Sequence, residues 1–578
     1  MTDETQGEVD KHPSWRLDDW LGVAVFGAAG LSAALWLLDL GRNLTFFFDE
    51  WDFVEDAATT GYWHSVLRPH NGHPSMIPFS IYELLLHTVG LRHYWPYQVI
   101  LILLNIGCGW LLFLLLRRKV HPLVAGASSA VLMLLGPAWQ DLLWPFQIGF
   151  LGSVAGGLGA LVLLDRDSRH ADIGACVCLV ASVACSGVGL PFLAGVIVEL
   201  VWRRKSRRRL WIPAIPLGLF VTWYEVIGKS ASSFPSSPGS IAQSIDSDTA
   251  TTLGALVGRG SSVGYVLTAV LVVAIIVALV RSPGRAARLA MATSGLLAFW
   301  VLTLLARGVS QGSASRYLYP AAALVLVAAG ELPALITRSH RGRHAPSTPA
   351  WVRRVGTVAA CAVVAYAALA IWWNAGTLTE ASEDLGAVSA QVNAELGAVT
   401  IAGAALPASF QPDRARMPQV TVGPYMKAVA QFGSPTPSPT HAGDPYGAVL
   451  DAMLLRGRPI RVAPVRHPDK ALTAGQGCRR SVLGPTSPTM VFTLPQRGSV
   501  VTAPRGESIA LRAKSFAPGF PDLPLSTVAQ GGTVALSWSP VPTRVHWTLE
   551  ITAVPTPAQA GSVVTICPDD ADVTTSGT

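Results

Sequence analysis

Long apolar runs, separated by short polar segments, fill the chain from about residue 20 to about residue 373. A helix needs roughly 20 apolar residues to cross a bilayer, and about eleven runs approach that length. They lie at approximately 20–40, 95–116, 121–136, 147–164, 171–187, 189–202, 210–228, 262–280, 289–306, 317–336 and 355–373. The pattern predicts a polytopic α-helical membrane protein with about 11 transmembrane helices.

One further apolar stretch, residues 75–91, is interrupted by Pro78, Glu83 and His87. Counting it as a span would place every later basic loop on the opposite side of the membrane. We therefore expect a helix that lies in the outer interface.

The pattern changes at about residue 374, where Pro, Ser, Thr and Gly become frequent. A helix is expected over 383–401, and beyond about residue 480 runs such as TMVFTL and TVALSW alternate with turn residues. Such alternation is typical of antiparallel strands. We predict a tail over 1–19, a transmembrane domain over 20–373 with an outer loop over 41–94, and a mainly-β C-terminal domain over 374–578 that is expected to form a β-sandwich.

Composition agrees with a membrane protein, since 50% of the 578 residues are hydrophobic, 14% are charged and the mean hydropathy is +0.41. Soluble domains carry about 25% charged residues, and disorder requires low hydrophobicity. The acidic, polar start of the chain has no signal-peptide pattern, so the first run is expected to be the first membrane helix.

The distribution of Lys and Arg predicts the orientation. One set of alternate loops carries 19 basic residues and the opposite set carries 7. Because basic loops stay in the cytoplasm, the N-terminus is expected inside and the C-terminal domain outside the plasma membrane. The net charge of +7 is then a topology signal, and no nucleic-acid partner is needed to explain it.

The first outer loop carries the most conspicuous polar chemistry. Asp49, Glu50 and Asp52 follow three phenylalanines, and aromatic residues there sit at the headgroup layer. A carboxylate held at that depth suits a general base. A solvated acidic turn is the alternative interpretation.

His70, Asn71 and His73 follow in the segment RPHNGHPS. Imidazoles can contact a phosphate or orient a hydroxyl group. The alternatives are a cap for the interfacial helix and the beginning of a zinc site, although no further ligands follow at a suitable spacing.

Two later outer loops add candidates. Trp144 and Gln147 suit sugar stacking and hydrogen bonding, with an interfacial anchor as the alternative. Arg307 and Arg316 are basic on the side that should be poor in basic residues, and a guanidinium suits phosphate. Snorkelling anchors are the alternative.

Cys478 and Cys567 are the two cysteines outside the apolar runs. An oxidising compartment favours their pairing, so we predict a disulfide.

In the order and side of these motifs the chain resembles the GT-C superfamily of membrane glycosyltransferases, in particular envelope enzymes of actinobacteria. The similar motifs are the acidic segment over 48–52, the His-Pro segment over 72–75 that leads into the interfacial helix, and Ser-Arg-Tyr over 315–317. The sequence His-Pro-Ser at 73–75 departs from the usual His-Pro-Pro type of start.

The resemblance implies a GT-C-like fold and sugar transfer from a polyprenyl-phosphate donor to an envelope glycan, glycolipid or protein acceptor on the outer face. No cofactor is required, although Mg²⁺ or Mn²⁺ is possible. The implied roles are as follows: Asp49 as catalytic base, with Glu50 second; Arg316, with His70 and His73, at the donor phosphate; Asp52, Asn71, Trp144, Gln147 and Tyr317 at the substrates.

Two other functions remain open at this point. A transporter or flippase for lipid-linked glycans would place ionisable groups near the midplane on interrupted helices. A noncatalytic envelope scaffold would leave the acidic cluster and Arg316 apart in space.

Overall fold

A computed structural model describes residues 17–229, 238–307, 314–336, 350–403, 406–436, 449, 453, 460–465, 477–483, 489–494, 498–514, 523–538, 548–554 and 562–568. The described chain is mostly helical as far as residue 432, and strands follow from residue 460.

Seventeen α-helices are present in the described ranges. The first eight are α1 (Leu17–Gly41), α2 (Glu50–Thr59), α3 (Tyr62–Leu67), α4 (Met76–Thr88), α5 (Trp95–Leu116), α6 (Pro122–Met133), α7 (Trp139–Leu143) and α8 (Ile148–Leu164). The others are α9 (Arg169–Cys185), α10 (Gly189–Trp202), α11 (Trp211–Trp223), α12 (Pro238–Leu256), α13 (Ser261–Arg281), α14 (Ala287–Arg307), α15 (Ser315–Ile336), α16 (Ala350–Ala402) and α17 (Val422–Phe432).

Eight helical segments of the described chain are long and apolar enough to cross a membrane, against the eleven expected. A ninth is counted if α6 and the segment Gly136–Leu143, bent by 43° at a short break, form one span. The remaining two predicted spans correspond to α9, with 17 residues, and α10, with 14. The number eleven is therefore not confirmed, because the apolar pattern does not reveal where a helix stops short or bends.

The surface of the candidate spans supports a multi-pass membrane protein. On α13, Val266, Val273, Ile276 and Val280 are more than half exposed. A continuous exposed apolar helix surface of this kind needs an apolar medium to cover it.

Helix α16 continues well past the end of its apolar run. Its 53 residues include both the predicted span 355–373 and the predicted helix 383–401, so the expected boundary at 373/374 falls inside a helix. The polar residues from 374 to 402 contain no proline, so nothing in them forces the helix to end.

By contacts the chain divides into two compact units. The first contains residues 1–44, 61–85 and 94–386, and the second contains 45–60, 86–93 and 387–578. We call them the helical unit and the mixed unit. The acidic segment over 48–52 belongs to the mixed unit.

Small residues allow close packing inside the helical unit. Ser153 on α8 and Ser182 on α9 each donate a hydrogen bond to the other's backbone carbonyl, both at 2.7 Å. At Gly156, an added Cβ would lie 2.7 Å from the carbonyl oxygen of Cys178. The two helices approach this closely because glycine and serine line their contact.

A buried ion-pair network joins helices α8, α10 and α14. Arg288 donates to Glu199 and to Asp165, each at 2.8 Å, and Glu199 also pairs with Arg203 at 2.8 Å. The side chains of Arg288 and Glu199 are 4% and 2% exposed. Arg288, one of the 19 basic residues counted as loop charges, therefore satisfies a buried carboxylate.

The described residues of the C-terminal part of the mixed unit form nine strands: β1 (Ile460–Pro464), β2 (Arg479–Leu483), β3 (Thr489–Thr493), β4 (Ser499–Thr502), β5 (Ser508–Lys514), β6 (Leu523–Val528), β7 (Thr533–Trp538), β8 (Thr548–Val554) and β9 (Ser562–Pro568). They form one sheet in the order β1-β7-β4-β9-β2 and another in the order β3-β8-β5-β6, and every pairing is antiparallel.

In strands such as β8, buried and less buried side chains alternate, which gives the strand one apolar face. In the pair β5–β8, Ile509 lies opposite Ala553 and Leu511 lies opposite Ile551, and all four are buried. Cys478 and Cys567 are joined by a disulfide bond, which ties the start of β2 to the end of β9.

Candidate functional site

The segment between α3 and α4 forms a tight turn that pairs two histidines. The backbone N–H of His70 donates to the carbonyl of His73 at 3.0 Å, and the N–H of His73 donates back at 2.9 Å. Asn71 and Gly72 between them have φ of 52° and 78°. Positive φ at both central residues defines a type I′ turn, for which Asn-Gly is the preferred sequence. Asn71 and Gly72, which directly precede His73 and Pro74, are thus the residues that build the turn.

The turn brings His73 to Arg307 at the end of α14. Arg307 donates through Nη2 to the carbonyl of Asn71 at 2.9 Å, and the same nitrogen lies 3.3 Å from Nε2 of His73. An added Cβ at Gly187 would lie 2.7 Å from Nδ1 of His73, so glycine is required for the ring to occupy this place.

His73 is held as a neutral imidazole. Its pKa is lowered from 6.5 to about 4, chiefly by burial and to a smaller extent by the positive charges of Arg307 and Arg316. A neutral ring beside two guanidinium groups donates one hydrogen bond and accepts another. It does so without adding a third positive charge.

A cavity of about 370 Å³ lies in the helical unit beside these residues. Asn71, His73 and Arg307 supply its polar lining. The apolar lining comes mainly from α8, α10, α11 and α14: Phe150, Leu190, Pro191, Phe220, Phe299, Leu302 and Leu305, together with Tyr317 of α15. A cavity with one cationic side and aromatic or aliphatic walls suits an amphiphile with an anionic head.

Arg316 lies at the beginning of α15, where α7 fixes its backbone. Its N–H donates to Oε1 of Gln140 at 3.1 Å, and the N–H of Gln140 donates to Oγ of Ser315 at 3.2 Å. The guanidinium carbon lies 5.2 Å from the ring centre of Tyr317. This cation–π contact leaves the N–H donors of Arg316 available for an anion.

The acidic segment is organised within the mixed unit by α2. Asp49 is the N-cap residue and accepts a hydrogen bond from Nε2 of Gln419 at 3.1 Å. Glu50 is fully buried, and its Oε2 accepts the N–H of Phe47 at 3.1 Å. Phe48, with φ of 53°, makes the bend that allows this contact. Asp52, one turn after Asp49, is half-buried.

Glu55, further along α2, is a carboxyl group that the sequence analysis did not single out. Its Oε1 accepts the backbone N–H of Thr421 at 3.2 Å. Burial raises its pKa to about 7, the bond from Thr421 opposes that shift, and the charges of Asp52 and Asp56 reinforce it. The i, i+3 spacing from Asp49 to Asp52 to Glu55 was the available signal, since it places three carboxyl groups on one face of a helix.

The sequence analysis also did not indicate that Gln419 and Thr421 contact the acidic segment. They lie in an irregular segment before α17. Gln419 comes 370 positions after Asp49, its hydrogen-bond partner. Tyr425 on α17 packs edge-to-face on Trp51, with ring centres 5.6 Å apart. No periodic pattern links two segments so distant in sequence.

Trp144 and Gln147, expected in an outer loop, are buried residues of the broken helical segment after α6. They are 3% and 1% exposed. Trp144 stacks on Phe146 at 5.2 Å. Oε1 of Gln147 has no hydrogen-bond partner among the described residues.

Apart from Trp144 and Gln147, the predicted site residues fall into two sets. Asn71, His73 and Tyr317 line the cavity of the helical unit, Arg316 adjoins Tyr317 in sequence, and the ring of His70 stacks on Phe79 at 6.1 Å. Asp49, Glu50 and Asp52 belong to the mixed unit. Within the described ranges, no group of three His, Cys, Asp or Glu side chains is placed to hold a metal ion.

Comparison with known proteins shows a likeness in structure and none in sequence family. No protein-family model matches the chain, and no curated protein matches it. The structure is similar to that of the arabinosyltransferase EmbB from Mycobacterium smegmatis, with a TM-score of 0.35 and 14% sequence identity over 97% of this chain. The chain spans 66% of the length of that protein.

Proposed function

We propose that this protein is a membrane glycosyltransferase that takes a sugar from a polyprenyl-phosphate donor and transfers it to an envelope acceptor on the outer face of the plasma membrane. The observation that carries the proposal is the cavity of the helical unit, in which an apolar wall meets His73 and Arg307. A polyprenyl phosphate has the matching chemistry, namely an isoprenoid chain and an anionic head.

Both ends of the cavity contribute to donor binding in this proposal. Burial of isoprenoid carbon against Phe150, Phe220 and Phe299 contributes about 25 cal/mol per Å² of apolar surface. Arg307 and Arg316 bind the phosphate through charge-assisted hydrogen bonds, and neutral His73 adds one more.

The reaction requires a base and a stabilised leaving group. The acceptor hydroxyl attacks the anomeric carbon, the bond from that carbon to the phosphate oxygen breaks, and the acceptor proton passes to a carboxylate. Asp49 is the proposed base and Glu50 the second choice, with Asp52 at the acceptor or a divalent cation. The charge that develops on the departing lipid phosphate is stabilised by Arg316 and Arg307.

A transporter of lipid-linked glycans is the second candidate, and the bent pair formed by α6 and Gly136–Leu143 favours it. Interrupted helices line substrate sites in many transporters. Formation of a glycosylated product separates the two candidates, because a transporter moves its substrate unchanged.

The test is sugar transfer by the purified protein in lipid nanodiscs, with a panel of radiolabelled polyprenyl-phosphate sugars and envelope glycan fragments. Arg307→Gln should abolish transfer, because the phosphate loses its guanidinium. Arg259→Gln is the matched control, since Arg259 stacks on Trp373 at 3.6 Å and does not line the cavity. Absence of transfer from every donor, combined with lipid translocation in proteoliposomes, would favour the transporter instead.

A further inference from the structure

The 417–423 segment, which leads into α17, forms a fixed support beside α2. The N–H of Val420 donates to the carbonyl of Met417 at 3.1 Å, and the N–H of Val422 donates to the carbonyl of Phe410 at 3.0 Å. Met417, Val420 and Val422 are 0%, 0% and 3% exposed. Backbone hydrogen bonds and buried side chains restrict local motion. The polar residues between the buried ones are therefore held in place.

Gln419 and Thr421 alternate with these buried residues, and each bonds a carboxyl group of α2 or of its N-cap. Nε2 of Gln419 donates to Oδ1 of Asp49 at 3.1 Å, and the backbone N–H of Thr421 donates to Oε1 of Glu55 at 3.2 Å. All four residues belong to the mixed unit. Only the bond from Gln419 comes from a side chain, so a single substitution can remove it without altering the backbone.

The amide of Gln419 has one favourable orientation. Its N–H faces Asp49, while its Oε1 is buried and has no hydrogen-bond partner among the residues that the structure describes. Rotating the amide by half a turn would place its oxygen against Oδ1 of Asp49, and both of these atoms are acceptors. The amide therefore keeps its N–H on the carboxylate, although its own oxygen stays unsatisfied.

The side chain of Asp49 is directed to Gln419 instead of capping its own helix. An aspartate at the N-cap commonly accepts a hydrogen bond from a backbone N–H of the first turn. Asp49 makes no such bond, and its backbone is already helical, with φ of −61° and ψ of −16°. The residue is half-buried, so its carboxylate is held by a distant segment and is still open to a reactant.

We propose that Gln419 is a positioning residue: its amide N–H holds the carboxylate of Asp49 in the orientation that receives the proton of the acceptor hydroxyl. The inference rests on the proposed function above, in which Asp49 is the base. A carboxylate held from a fixed support is oriented before the acceptor arrives, so its rotation does not have to be restricted during the reaction. Gln419 itself acts only through Asp49.

The experiment measures sugar transfer by the full-length protein in nanodiscs, with the panel of radiolabelled polyprenyl-phosphate sugars described above. Gln419→Leu should lower kcat by up to about 100-fold, the cost that a small misplacement of a reacting group can have. The KM for the donor should stay unchanged, because Gln419 belongs to the mixed unit and does not line the cavity. An unchanged kcat, with the protein folded, would overturn the proposal.

Gln391→Leu is the matched control. Gln391, on α16 in the same unit, donates through Nε2 to Oε1 of Glu395 at 3.2 Å. The same change there removes the same kind of bond from a carboxyl group without a role in the reaction, and kcat should equal that of the wild type.

Gln419→Glu keeps the length and shape of the side chain and replaces the N–H by an acceptor. It should lower kcat at least as far as Gln419→Leu does, because an acceptor cannot hold a carboxylate. It also serves as the test if Gln419→Leu fails to fold. Retained activity in Gln419→Glu would show that Gln419 merely fills space and would overturn the proposal.

Thermal unfolding separates this proposal from the proposed function. The effects of Asp49→Ala and Gln419→Leu on the unfolding temperature should be non-additive, because either substitution alone already removes the bond. Such coupling, without transfer by the wild type from any donor, would overturn the proposed function and confirm that Gln419 holds Asp49. Transfer by the wild type, with additive effects in unfolding, would leave the function standing and overturn the role of Gln419.

Discussion

At the scale of single residues, the arrangement around His73 depends on a missing side chain. The ring occupies space that a Cβ at position 187 would enter, since that atom would lie 2.7 Å from Nδ1. A substitution at a glycine between α9 and α10 therefore acts on a histidine more than 100 positions earlier. The sequence motif identifies the histidine, and only the fold shows which residues its ring contacts.

Gly187→Ala should displace the ring from Arg307 and lower the rate of sugar transfer by up to about 100-fold, the cost that a misplacement of 1 Å can have. Gly218→Ala is the control, because no atom lies within 4 Å of the added Cβ there. Unchanged transfer by Gly187→Ala, with the protein folded, would show that the position of His73 is not important for the reaction.

Glu55 predicts a pH dependence of stability. Its pKa is about 7 in the folded chain and 4.5 as the ordinary value, so the folded state binds the proton more tightly than the unfolded state does. Its contribution is fully present below about pH 4.5 and is lost as the pH rises through about 7.

Glu55→Gln should therefore raise the unfolding temperature at pH 8 and flatten its dependence on pH between 5 and 8, as measured by thermal unfolding at several pH values. The amide oxygen can still accept the N–H of Thr421. Glu383→Gln, at an exposed position of α16, is the comparison. An equal pH slope in wild type and Glu55→Gln would contradict the assignment.

At the scale of elements, small residues rather than large apolar side chains form the contact between helices α8 and α9. Helices α8 and α9 meet at Gly152, Gly156 and the Ser153–Ser182 pair. In an apolar medium the hydrophobic effect does not hold helices together, so close approach and hydrogen bonding must do so. The glycine spacing was visible in the sequence, although its partner helix was not.

Gly156→Val should lower stability by about 1–3 kcal/mol, because the new side chain meets the backbone of Cys178 and a packed contact tolerates little added volume. Thermal unfolding in detergent measures the change. Gly27→Ala on α1, where nothing lies within 4 Å of the added Cβ, should have no such cost. Equal stability of both variants would show that α8 and α9 can separate freely.

At the scale of the whole molecule, the proposed function requires residues 49 and 316 to face the same compartment. The basic loops predict that this compartment lies outside the membrane. In a background without the five free cysteines, single cysteines at positions 49 and 316 should react with an impermeant thiol reagent added to intact cells. A cysteine at position 207, in the basic segment Arg204–Arg209, should react only after lysis. Labelling of 49 and 316 from opposite sides would contradict the proposed reaction.

The sequence alone determined the features that depend on local periodicity. Apolar runs predicted the positions of the candidate spans, alternation predicted the antiparallel strands, and the Asn-Gly pair carried the information for the turn at His70–His73. These features arise from interactions within a few residues along the chain, so the residue types at neighbouring positions are sufficient to specify them.

Only the tertiary structure decided the contacts between distant segments: Arg307 with the turn at Asn71, Gly187 with His73, and Gln419 and Thr421 with α2. The length of α16 and the bend after α6 were likewise decided by packing. These features depend on close contacts between groups separated by up to 370 positions. Helical and strand periodicity constrains which face of an element is apolar, and it does not specify which other element that face will meet.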